Sequence, residues 1–86
     1  MPELSRFFGI VIRMYFNDHH PPHFHACYGD WEALIQIGTL NVLRGELPRR
    51  ALVTVLEWAV VHREELRTAW TSARVGEPLP TIQPLE

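Results

Sequence analysis

Residues 17–28 read Asn17-Asp18-His19-His20-Pro21-Pro22-His23-Phe24-His25-Ala26-Cys27-Tyr28. Asn17 and Asp18 open a turn through their side-chain chemistry, and the proline pair withholds ladder hydrogen bonds while keeping the backbone extended. The connection is therefore stiff. After it the chain alternates as a strand does, with Phe24, Ala26 and Tyr28 on one side and His23, His25 and Cys27 on the other. A polar, imidazole-rich turn joined to a strand fixes where the sheet reverses. It is also where recognition or chemistry is expected, because loops held by rigid elements carry a large share of function.

Working outward, Arg6 to Asn17 is dense in aromatic and β-branched residues and reads as one strand. Its even positions, Phe8, Ile10, Ile12, Met14 and Phe16, form an apolar face, and Phe7, Gly9, Val11, Arg13 and Tyr15 form a mixed one. Gly29-Asp30 turns the chain into a strand over Trp31 to Ile37. Gly38-Thr39 turns it again into a short strand over Leu40 to Leu43. Both connections are short, so the strands are expected to pair antiparallel. Leu47-Pro48 opens a helix, and Leu52, Val55, Leu56, Ala59, Leu66 and Trp70 recur at three- and four-residue steps as one stripe. Gly76-Glu77-Pro78 stops it. The reading is α+β: an antiparallel three- to four-stranded sheet with one long C-terminal helix on one face. Residues 1–77 form the domain and residues 78–86 a proline-rich extended tail.

The totals are consistent with one small domain. Of 86 residues, 47% are hydrophobic, which sets the chain apart from disordered compositions. The net charge of −2 gives no long-range pull toward phosphate backbones or anionic lipid; Arg44, Arg49 and Arg50 are the one local basic candidate for nucleic acid. A single cysteine forms no internal disulfide. No apolar run approaches the length of a membrane span and no signal-peptide pattern leads the chain, so a cytoplasmic location is the expectation.

Ser5-Arg6-Phe7-Phe8-Gly9-Ile10-Val11-Ile12, Met14-Tyr15, Asp18-His19, Pro21-Pro22-His23-Phe24-His25-Ala26 and Tyr28 together resemble an uncharacterised bacterial family catalogued as domain of unknown function 4160. Gly45-Glu46-Leu47-Pro48, Glu57-Trp58-Ala59, His62-Arg63-Glu64-Glu65-Leu66 and the closing Ile82-x-Pro-Leu-Glu extend the likeness over almost the whole chain. The resemblance implies a small prokaryotic protein whose gene often neighbours one for another small protein, an arrangement that suggests toxin–antitoxin pairing. It brings no activity, cofactor or catalytic residue, and it directs attention to His19, His23, His25 and Tyr28.

Two readings of the histidine block follow. In the first, the imidazoles bond carbonyls in the turn and stack on Tyr15, Phe24 or Tyr28, serving structure or recognition. In the second, they hold a divalent transition metal such as zinc. His23 and His25, two apart on a strand, project from one face with Cα atoms roughly 6.6 Å apart, and His19 or Asp18 reaches in from the turn as a third ligand. Three protein ligands and an open position are the catalytic zinc pattern, here of a small hydrolase or nuclease using His19, His23 and His25; alternatively Asp18 orients a ring. The first reading leads, since a lone His-x-His lacks the ligand count of a diagnostic motif. One helix shields one sheet face, and the other face, with Phe7, Val11, Tyr15, His23, His25, Cys27 and Leu34, reads as apolar enough to meet a partner. The expected function is a protein-interaction module binding another small protein encoded nearby, or a second copy as a homodimer, with Trp58 as interface anchor.

Overall fold

The computed structural model describes residues 3–85; residues 1, 2 and 86, the last being the end of the expected tail, lie outside the described residues. The chain runs β1 (Glu3–Phe7), β2 (Ile10–Arg13), β3 (His23–Tyr28), β4 (Trp31–Gln36), β5 (Val42–Glu46), α1 (Arg49–Val61) and α2 (Arg63–Arg74). The five strands form one antiparallel sheet in sequence order. The α+β class and the meander match the sequence reading, while the counts differ: five strands stand in place of three or four, and two helices in place of one.

The expected long strand over Arg6 to Asn17 is a hairpin. Phe8 and Gly9 take φ of 49° and 79° and turn the chain, so that Phe7 pairs with Ile10. Positive φ at two successive residues suits a tight hairpin whose twist matches its strands, and Gly9 supplies one of them without steric cost. The turn inverts the alternation: Phe7 points into the core beside Ile10, Ile12 and Met14, whereas Phe8 is left 65% exposed and Phe16 is also exposed. The strand expected over Leu40 to Leu43 falls later, as β5 over Val42–Glu46, because Gln36, Leu40 and Asn41 close the preceding turn by backbone hydrogen bonds.

The long helix breaks at His62, whose φ and ψ of −110° and 23° lie outside the helical range and whose N–H donates to both Ala59 O and Trp58 O. A straight helix from Arg49 to Arg74 would run about 39 Å at about 1.5 Å per residue, longer than the 33 Å greatest extent of the molecule. The bend keeps the second half on the sheet. Val55, Ala59, Leu66 and Trp70 of the expected stripe are buried, joined by Ala51, Trp58, Ala69 and Ala73. Val61, by contrast, is 72% exposed.

The core lies between the helices and the row-by-row pairs Ile12–Ala26–Ala33 and Phe24–Ile35. Trp58 is 0% exposed at its centre, tilted against Phe7 at 5.4 Å. Its indole Nε1–H donates to Gln83 O at 2.8 Å, and Ile82 N–H donates to Leu4 O at 2.8 Å. Among its described residues the tail thus has no helix or strand but packs along the domain, with Ile82 buried. Trp58, expected as a surface anchor, is a core residue because the tail covers it.

The second sheet face also differs from its reading. Phe7 has left it for the core, and the strand register sets Arg13, His25, Leu34 and Arg44 in one row and Val11, Cys27, Glu32 and Glu46 in the next. Charged and imidazole side chains make this face polar, so its composition gives no apolar reason for a partner to cover it. Among the described residues no helix is long and apolar enough to cross a membrane.

Candidate functional site

With Phe24 and Ala26 turned toward the helices, the alternation of β3 sends His23 and His25 to the opposite face. The segment between β2 and β3 folds back over that face and brings Asp18 above both rings. Asp18 Oδ2 lies 3.0 Å from His23 Nε2 and 3.1 Å from His25 Nε2. Its other oxygen accepts the backbone N–H of His19 at 2.9 Å. His23 Nδ1 donates to Pro21 O at 2.8 Å, and His25 Nδ1 lies 2.9 Å from Glu32 Oε2. The rings are 4% and 9% exposed by residue. Tyr15 meets His25 edge-on at 4.4 Å and Trp70 lies 5.4 Å from His23, which fixes both ring planes.

Proton bookkeeping at this cluster is restrictive. Pro21 O only accepts, so His23 carries its hydrogen on Nδ1 and, when neutral, turns the Nε2 lone pair at Asp18. His25 faces a carboxylate at each ring nitrogen, so a neutral ring satisfies one and opposes the other. With Asp18 ionised and both rings neutral, two lone pairs confront carboxylate oxygens. Two imidazolium ions would resolve this, and so would one cation at the point where Asp18 Oδ2 and the two Nε2 atoms converge. These three donor atoms lie within 4.8 Å of one another. Burial alone pushes the Asp18 carboxyl up. The hydrogen bonds from His25 and the His19 N–H, with positive charge on His23 and His25, outweigh it and hold Asp18 below the ordinary aspartate range.

The expected site residues separate into distinct places. His23 and His25 come together as the strand spacing required. His19 does not join them; it is exposed and contributes its backbone N–H, and Asp18, the other candidate from the turn, takes the third position. Tyr15 packs on His25. Tyr28 lies at the far end of β3, in a hollow of about 370 Å³ with Phe8, Pro48 and Arg50. Cys27 is half-buried with Sγ 3.9 Å from Glu32 Oε2, and burial, with the Glu32 charge, pushes its thiol up. Arg44 and Arg50 line different hollows rather than one basic patch.

Sequence reasoning missed Glu32, because its place beside His25 depends on the β3–β4 register, in which Cys27 opposes Glu32 and His25 opposes Leu34. The diagonal neighbour across a strand pair is within reach of long side chains. The cluster opens into a cleft of about 490 Å³ walled by Glu32, Leu34, Leu43 and Arg44.

A family profile described as a domain of unknown function, DUF4160, matches residues 9–71. No curated protein and no solved structure matches the chain. The match spans β2 to β5, the proline-histidine turn, the cluster of Asp18, His23 and His25, and most of both helices, and the chain belongs to the DUF4160 family.

Proposed function

We propose that Asp18, His23 and His25 bind one divalent transition metal ion and that the protein is a small metal-dependent hydrolase. The observation that carries this reading is the pairing of each imidazole with a second acceptor. With Pro21 O and Glu32 accepting the Nδ1 protons, both Nε2 lone pairs and the Asp18 carboxylate would be aimed at one place when the rings are neutral. A single ion satisfies every one of these groups. Metal-bound histidines characteristically donate their other N–H to a carbonyl or carboxylate, as these two rings are set to do. Ligands about 2.0–2.1 Å from a tetrahedral zinc lie roughly 3.3 Å apart; the two Asp18–imidazole distances of 3.0 and 3.1 Å are close to this, and all three donor atoms lie within 4.8 Å of one another, so any wider edge closes on binding.

With two histidines and one carboxylate holding it, such an ion would be open to solvent in the cleft and would lower the pKa of bound water toward neutrality, supplying a nucleophile. The experiment is zinc titration with elemental analysis on protein prepared without an affinity tag, for the wild type, Asp18→Ala and His23→Ala. One ion per chain is expected, lost in both variants while circular dichroism stays native. Absence of stoichiometric metal, or equal affinity in the variants, rejects the reading.

A second reading, a protein-interaction module, is favoured by a separate observation. Phe8, Tyr28 and Trp31 are exposed together at the turn end of the sheet, away from the imidazoles. Its occupant is another small protein encoded nearby, and size-exclusion chromatography of the mixture at micromolar concentration tests it: a joint peak lost in Phe8→Ser is expected, and two separate peaks count against it.

A further inference from the structure

We infer that the cleft at Asp18, His23 and His25 takes the phosphoryl group of a small phosphate ester, with Arg44 holding its oxygens. The inference rests on the metal reading above and adds the substrate class to it. The register places His25, Leu34 and Arg44 in one row across three neighbouring strands and on the same face. At about 4.8 Å per strand, the row sets the Arg44 backbone roughly 10 Å from that of His25, a gap that the arginine side chain spans across Leu34. Arg44 and the two histidines line the same cleft.

The charge and chemistry of Arg44 are available for a ligand. The arginine ion pairs among the described residues are Arg6 with Glu3 and Arg67 with Glu64, so Arg44 takes part in neither. Glu32 directs its charge at His25 Nδ1. A divalent ion bonded to one carboxylate keeps an excess of positive charge, and Arg44 adds to it from the opposite wall. An anion with several oxygens in fixed geometry fits between them, one oxygen on the ion and two on the planar guanidinium.

Size and surroundings favour a small ester over nucleic acid. The cleft of about 490 Å³ suits a small molecule, and Leu34 and the exposed Leu43 give its organic part an apolar wall. The acidic margin of Glu32 and Glu46, which face each other across β4 and β5, and the net charge of −2 oppose a long polyanion. Hydrolysis forms one bond from the ion-bound water oxygen to phosphorus and breaks the bond from phosphorus to the ester oxygen. The proton from the water ends on the released alcohol.

The test uses the full chain loaded with zinc, titrated calorimetrically with inorganic phosphate, para-nitrophenyl phosphate, acetate and a single-stranded oligonucleotide. The variants are Arg44→Gln and Arg44→Lys, whose zinc affinity is measured in parallel. Expected are binding of phosphate and its ester in preference to acetate, a loss of tenfold or more in Arg44→Gln, partial recovery in Arg44→Lys, and zinc affinity within twofold of wild type in both. Zinc binding with phosphate affinity unchanged in Arg44→Gln overturns the inference and leaves the metal reading standing. Equal binding of acetate, or tighter binding of the oligonucleotide, overturns it in the same way. Failure of the wild type to take up zinc removes both.

Discussion

Glu32→Gln probes the support of the site without touching its ligands. Glu32 Oε2 lies 2.9 Å from His25 Nδ1, and its side chain is 47% exposed. Loss of such an outer partner weakens metal binding by about 10–100-fold, or about 1.4–2.7 kcal/mol. The half-exposed position lets water restore part of the contact, and the amide oxygen still accepts the Nδ1 proton without the charge that roughly doubles the bond. About tenfold is therefore expected for Glu32→Gln and more for Glu32→Ala. Competition for zinc against a chromophoric chelator at pH 7 measures it. Affinity within twofold of wild type in both variants, with native circular dichroism, refutes the orienting role. A loss beyond about a thousandfold refutes it from the other side, since Glu32 would then be a ligand.

Ile82→Ala removes a fully buried side chain of the tail beside Leu4; about 3 kcal/mol is expected, a fall in Tm of about 12–24 °C, and a change under 1 kcal/mol in a thermal melt shows that the tail is not part of the core. Gly45→Ala adds a Cβ at 2.1 Å from Glu32 O at a φ of +77°, so it costs about 2 kcal/mol or more in chemical denaturation and weakens zinc binding by displacing Glu32; wild-type values in both assays contradict this. The raised Cys27 thiol holds little thiolate at pH 8, so iodoacetamide labelling followed by mass spectrometry is expected to be at least tenfold slower than in denaturant. The depressed Asp18 carboxyl contributes stability to the metal-free protein above its unfolded pKa near pH 4, lost as pH falls through the lower folded value; Asp18→Asn flattens this acid limb, and identical limbs in the two proteins argue against it.

The alternation of His23 to Tyr28 and Trp31 to Gln36, each bounded by turn residues, made two strands and their hairpin readable from local pattern alone. The first hairpin was hidden because Phe8, a bulky residue, sits at positive φ, where the pattern suggests an uninterrupted run. That one turn reversed which of Phe7 and Phe8 is buried and so altered the apparent make-up of both faces. The break at His62 follows no proline or glycine; it answers the dimensions of the sheet, which a linear pattern does not encode. At the site, the spacing of His23 and His25 was sufficient to pair them. Choosing Asp18 over its neighbour His19 required the path of the loop, and Glu32 required the cross-strand register.

The docking of Ile82 and Gln83 against Leu4 and Trp58 has a consequence for biosynthesis. During synthesis β1 and the central tryptophan emerge well before residues 82 and 83, so both wait for partners that are made later. Closure of the interior therefore follows the emergence of Ile82 and Gln83. A chain arrested before residue 82 would expose an indole and a strand carbonyl to chaperones and proteases, while the arrival of those two residues would let the same groups disappear from their reach.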